Sequence, residues 1–161
     1  MTITAHVFQV FIAAEPDVVW AALTESDWTR RWFFSTAFAA PPEPGQGYRS
    51  VFPDGRHAVD GVIEECVPPA DGRPGRLVQT WHVLYDAAMA QEPPSRVEWT
   101  VQRAGEGLTR VRLTHTDLAA SPLTWPAPWL LPSADPFSAL AAPPSCAVRP
   151  SYESTNHAFI R

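Results

Sequence analysis

The sequence predicts an α+β domain built on a single antiparallel sheet, and three observations predict it. Five segments after residue 47 show strand periodicity and are joined by turn-forming residues. Two short stretches at helical spacing follow the first strand. The chain has 161 residues, 45% of them hydrophobic, which suits one domain with its own core and no need of a disulfide or metal staple.

His6 to Ala13 reads as the first strand. Phe8, Val10 and Ile12 alternate on one face and Val7 and Phe11 on the other, which predicts cover on both. Pro16 suits the first turn of a helix, and Val19, Trp20 and Leu23 recur behind it at three- and four-residue spacing. Ser26 or Asp27 is expected to cap a second short helix that carries Trp28 and Trp32 at i and i+4. A loop dense in Pro and Gly runs from Ala40 to Gly47. Tyr48 to Phe52 and His57 to Val67 then form a hairpin across Pro53-Asp54-Gly55. Pro68 to Gly75 breaks the chain, and Leu77 to Tyr85 returns as a strand. Ser95 to Gln102 sends Val97, Trp99 and Val101 inward. After Gly105-Glu106-Gly107, Leu108 to His115 does the same with Val111 and Leu113. Successive hairpins imply antiparallel pairing. Two short helices are too little to cover such a sheet, so a concave face is left for a ligand, another helix or a partner.

Composition changes near Leu118. Pro122, Pro126, Pro128, Pro132, Pro136, Pro143, Pro144 and Pro150 punctuate the remainder of the chain, and Asp135 is the only charge between Ser121 and Val148. Proline removes a backbone donor and clashes with the preceding turn. The expected division is a folded domain over 1–118 and an irregular Pro-rich tail over 119–161, with one short turn at most, around Phe137 to Ala142.

Charge and motifs narrow the function classes. A formal charge of -5 argues against nucleic acid or an anionic membrane as the main partner, because both reward basic clusters. All twelve basic residues are Arg, a bias that GC-rich bacterial coding produces. The N-terminus lacks the charged and apolar regions of a signal peptide, and no run approaches the roughly 20 apolar residues of a membrane span. A soluble cytoplasmic protein is expected. Cys66 and Cys146 are far apart and read as two unpaired thiols, with one disulfide as the alternative. His57, His82 and His115 with Cys66 lack ligand spacing, so no metal is expected. No phosphate loop, metalloprotease His-Glu pair or nucleophile elbow is present. Neither a cofactor nor a catalytic residue is assigned.

Several segments together resemble the START-like (SRPBCC, helix-grip) superfamily, in the branch of bacterial proteins homologous to the C-terminal domain of the activator of heat-shock-protein-90 ATPase. They are Ala14 to Thr24 with Trp28 and Trp32-Phe33; Gly47-Tyr48-Arg49 with Pro53-Asp54-Gly55; Gly61 to Glu64 with Pro68-Pro69 and Leu77 to Trp81; Ser95 to Trp99; and Gly107 to His115. The resemblance covers roughly residues 5–118. It implies a curved antiparallel sheet gripping a long C-terminal helix, with a cavity between them. The chain departs from that pattern twice. Ala70 to Gly75 is inserted in a link that is usually short, and the proline-spaced tail stands where the long helix belongs. Either a divergent end docks as extended chain, or a shifted reading frame has replaced the helix. In both cases Trp125, Trp129, Leu130, Leu131 and Phe137 must cover the sheet, or the protein must associate.

The expected ligand-binding residues are Trp32, Phe34, Glu64, Trp81, Trp99 and His115. The four aromatics serve as a lining or as plain core. His115 shares the parity of Val111 and Leu113, so it should face the cavity. Glu64 is either a buried carboxylate facing the pocket, with a raised pKa, or a solvent-facing strand residue beside Glu65. Three functions are expected, in order. The first is a non-enzymatic domain that binds a small hydrophobic or amphipathic molecule. The second is an interaction protein of co-chaperone type, whose partner, or a second copy, covers the open sheet face. The third is a cyclase- or hydrolase-type enzyme using His115 or Glu64. Fold alone does not decide among them.

Overall fold

The computed structural model describes residues 5–124. In chain order the elements are β1 (Ala5–Ile12), α1 (Pro16–Thr24), α2 (Ser26–Trp32), β2 (Ala37–Phe38), β3 (Gly47–Val51), β4 (His57–Val67), β5 (Gly75–Val83), β6 (Ser95–Gly105) and β7 (Leu108–Thr116). Single 3-10 turns lie at Met89–Gln91 and Leu118–Ala120. The strands form one curved seven-stranded sheet in the order β1-β7-β6-β5-β4-β3-β2. Every pairing is antiparallel. The first and last long strands are therefore neighbours: Phe8 pairs with Leu113 and Val10 with Val111.

The period-two pattern fixes which face is buried. Leu77, Val97, Val101, Val111 and Leu113 are 0–1% exposed on the inner face. Each such side chain contributes about 1.5–3 kcal/mol on leaving water. The helices sit on the same face, α1 through Val19, Ala22 and Leu23 and α2 through Trp32. Pro16 opens α1, where its missing N–H costs nothing. One extended residue, Glu25, ends α1 and begins α2. The two helices are then fastened by the Trp32 Nε1–H, which donates to the Ala22 carbonyl at 2.7 Å.

On the outer face an ion-pair network crosses the strands. Arg96 pairs with Glu64 and Glu98, and Arg76 pairs with Glu98 and Glu65. The Arg76 guanidinium holds the Glu98 carboxyl below the usual carboxylate range. Val78 belongs to this face, between Glu65 and Glu98 of the neighbouring strands, and is still 0% exposed.

The β4–β5 ladder is interrupted at Gly61 and Val62. The Val62 N–H donates to Thr80 Oγ1 at 2.8 Å instead of to a carbonyl, and the Thr80 carbonyl accepts from the Tyr48 hydroxyl at 2.8 Å. A Cβ at Gly61 would lie 2.4 Å from the Thr80 carbonyl oxygen, so only glycine fits there.

Past β7, Leu118 is 1% exposed and the chain is tied to the loop before β6. The Ser121 hydroxyl donates to the Pro93 carbonyl. The Glu92 carboxylate accepts the N–H groups of Leu123 and Thr124 and the Thr124 hydroxyl. The tail beyond Thr124, its turn near Phe137, the missing or replaced long helix, the covering role of Trp125 to Phe137, and Cys146 all lie outside the described residues.

Four expectations change. Six strands come after the helices, because Ala37–Phe38 pairs with Ser50 and Val51. The third long strand starts at Gly75 and ends at Val83, shifted from Leu77 to Tyr85. Val7 and Phe11 are each 45% exposed, so β1 is covered on one face only. Neither Ser26 nor Asp27 caps α2. Glu25 takes that position, and the Ser26 hydroxyl donates instead to the Phe38 carbonyl at 2.7 Å.

Candidate functional site

A recess opens on the inner face where α2 lies over β3, β5 and β6. Its wall is mostly aromatic: Trp32 and Phe33 from the helix end, Phe38 and Tyr48 from β2 and β3, and Trp81 and Trp99 from β5 and β6. Leu23, Thr29, Ser50, Leu77 and Gln79 complete it, around a volume of about 30 Å³. The rings meet edge to face. Trp32 and Trp99 are 6.0 Å apart at 84°, and Phe33 and Trp81 are 5.8 Å apart at 85°. Such contacts favour a fixed arrangement beyond their buried area.

Polar groups around the recess are mostly committed. Trp32 Nε1 is bonded to Ala22, the Tyr48 hydroxyl to Thr80, and the Thr29 hydroxyl to the Ser26 carbonyl at 3.2 Å. Burial, and secondarily the charge of Asp60, pushes the Tyr48 phenol well above its ordinary value, so it stays a donor. Gln79 is 2% exposed, and its Oε1 has no hydrogen-bond partner among the described residues.

The structure brings Trp32, Trp81 and Trp99 together on this wall. Phe34 stands beside it, packed at 5.4 Å on Phe33 and 37% exposed. It begins a turn in which Phe34 and Ser35 both take the left-handed region, at φ 50° and 59°. His115 faces inward as its parity predicts, but it lies behind Ser95 and does not line the recess. Its Nε2 is 2.7 Å from Ser95 Oγ, which in turn reaches the Trp81 carbonyl at 3.2 Å. Burial, with a smaller effect from His6, lowers the His115 pKa from 6.5 to about 4, so the ring is neutral at pH 7.

Glu64 takes the solvent-facing of its two orientations. A bulge between Ile63 and Glu65 makes Glu64 the extra residue, and its carboxylate meets Arg96 at 2.8 Å on the outer face. Gln79, Tyr48, Ser50 and Phe33 were not singled out from sequence. Gln79 did carry a signal, as a polar residue at the inward parity of Leu77 and Trp81.

A second, wider hollow of about 610 Å³ is lined by Arg49, Asp60, Val62, Thr80 and His82 on the outer face, with Ala39 to Pro41 and Pro94 at its rim. His82 is fixed there between the Asp60 carboxylate, 3.0 Å from Nδ1, and the Ala90 carbonyl, 3.2 Å from Nε2. Among the described residues no group of three or more His, Cys, Asp or Glu could hold a metal ion. Among them too, no helix is long and apolar enough to cross a membrane.

A family model described as activator of Hsp90 ATPase homolog 1-like protein matches residues 13–124. No curated protein matches the chain. Solved structures do. CalU16 from Micromonospora echinospora is 22% identical, with a TM-score of 0.60 over 85% of this chain and 71% of its own. The protein encoded by BPP1335 from Bordetella parapertussis is 25% identical, with a TM-score of 0.62 over 93% and 80%. PFC0360w, an HSP90 activator from Plasmodium falciparum, is 14% identical, with a TM-score of 0.57 over 80% and 89%. The sheet and its two helices thus have the helix-grip, START-like architecture of these neighbours.

Proposed function

The chain belongs to the activator of Hsp90 ATPase homolog 1-like family, and on that premise we propose that it binds a small hydrophobic or amphipathic molecule at the inner sheet face without transforming it. The observation that carries this reading is the convergence of Trp32, Phe33, Trp81 and Trp99 on the wall of one recess. Concave apolar surface with a few polar groups is what small-molecule sites are made of. A thermal-shift screen of the full chain with lipids, flavonoids and polyketides tests it. At least one class should raise the melting temperature, and Trp99→Ala should remove the shift. No shift with any class would sink the reading.

Family membership itself favours a second reading, an interaction protein acting on a chaperone. A coupled ATPase assay on a bacterial Hsp90 decides it, since an activator raises the rate and an unchanged rate excludes the role. The enzyme reading finds no support in the geometry. Neither candidate lines the recess: Glu64 meets Arg96 on the outer face and His115 is bonded to Ser95.

A further inference from the structure

We infer that β1 is the pairing edge of a homodimer, in which two copies of this chain join their sheets antiparallel about a two-fold axis at Gln9. The inference is independent of the binding role proposed above.

The first observation is an unguarded edge. β1 ends the sheet and, among the described residues, is paired on one side only, by β7. Its residues, Ala5–Ile12, include no charge, proline or glycine, and their register with β7 runs without a bulge. Charges, prolines, bulges and shortness are the devices that keep an edge strand from pairing with another chain. β1 has none of them, whereas β2 at the opposite edge is only two residues long. One edge per molecule is thus open, so pairing closes as a dimer and does not propagate.

The second observation is self-complementarity. Val7, Gln9 and Phe11 point to the outer face, where Val7 and Phe11 are each 45% exposed. Joined sheets must keep outer face beside outer face. An axis at Gln9 then sets Val7 of each copy opposite Phe11 of the other and Gln9 opposite Gln9. An amide both donates and accepts, so it can pair with its own copy, and aromatic rings beside β-branched side chains are favourable cross-strand pairs. Moving the axis to Phe8 or Val10 sets the amide against Val7 or Phe11 instead. Charge agrees: at a formal charge of -5 two copies repel over much of their surface, and this strand brings no like charges together. The rest of the chain fits the edge less well. After Thr124 only 151–161 is free of proline over the length of β1, and it brings Glu153, Asn156 and Arg161.

Sedimentation velocity of the full chain over a concentration series tests the pairing. The wild type should pass from monomer to dimer. Gln9→Lys sets two ammonium groups face to face, each beside its own Arg112 on β7, and should weaken the dimer at least about tenfold. Fluorescently labelled Gln9→Lys protein should regain the dimer when unlabelled Gln9→Glu protein is added, because Lys then faces Glu. Phe11→Ala, which trims an exposed ring, should also weaken the dimer and serves if the lysine variant fails to fold. A wild type that stays monomeric overturns the inference. Slow amide exchange at every β1 residue of that monomer would show that the chain's own remainder holds the edge. A dimer indifferent to these substitutions, or a labelled lysine variant that the glutamate variant does not recruit, overturns the axis at Gln9.

Discussion

His115 is the residue whose chemistry is most altered by the fold. It is 1% exposed with its pKa lowered to about 4, so the unfolded chain takes up a proton that the folded chain refuses. The folded pKa lies below the unfolded one, so stability rises with pH between about 4 and 6.5 and falls on acidification through that window. His6, paired with His115 across β1 and β7 and also lowered by burial, acts in the same direction. Urea titrations should show the wild type losing about 2 kcal/mol more than His115→Gln between pH 7 and pH 5; equal losses would exclude this origin. Gly61→Ala should cost about 1–3 kcal/mol, because the new methyl meets the Thr80 backbone oxygen at 2.4 Å. An unchanged urea midpoint would show that the strands can part there. At this scale sequence reading was uneven. Parity placed Trp99 and His115 on the inner face, since period two is set by the pleat. It could not place Glu64, because a bulge shifts every later residue by one and leaves no mark in the pattern. Gln79 escaped notice because an uncharged amide between Leu77 and Trp81 carries no ionisable or aromatic signal of its own.

Among elements, the α1–α2 pair is held by one side-chain bond across a single extended residue. Trp32→Phe keeps the ring and removes the donor to Ala22. A buried carbonyl then goes unpaired, at about 1–3 kcal/mol, and the loss should appear as a lower urea midpoint with faster amide exchange in α2. The turn after α2 carries two left-handed residues without glycine, Phe34 and Ser35. Ser35→Gly should therefore stabilise by about 1 kcal/mol, and a destabilised variant would mean that the serine side chain holds the turn. The long strands and both helices were legible because each spans several periods of its own pattern. Ala37–Phe38 was not, since two residues show no period. The cap of α2 was missed because the Ser26 hydroxyl found a tertiary partner in Phe38, which local sequence does not reveal.

For the molecule as a whole, the path of the chain after β7 is set by Glu92. Its carboxylate gathers two backbone N–H groups and a hydroxyl from Leu123 and Thr124. Glu92→Ala should cost about 1–3 kcal/mol and speed amide exchange at both residues at least about tenfold; unchanged exchange would show that the exit is held by packing alone. The sheet has a less obvious property. Where β4 meets β5, two side-chain hydroxyls, those of Tyr48 and Thr80, do the work of main-chain bonding. The ladder is main-chain paired on either side of that point and stitched by side chains only at Gly61 and Val62. Tyr48 is both a stitch and part of the recess wall. Turning that one phenol aside would widen the opening for a larger guest while every strand stayed whole.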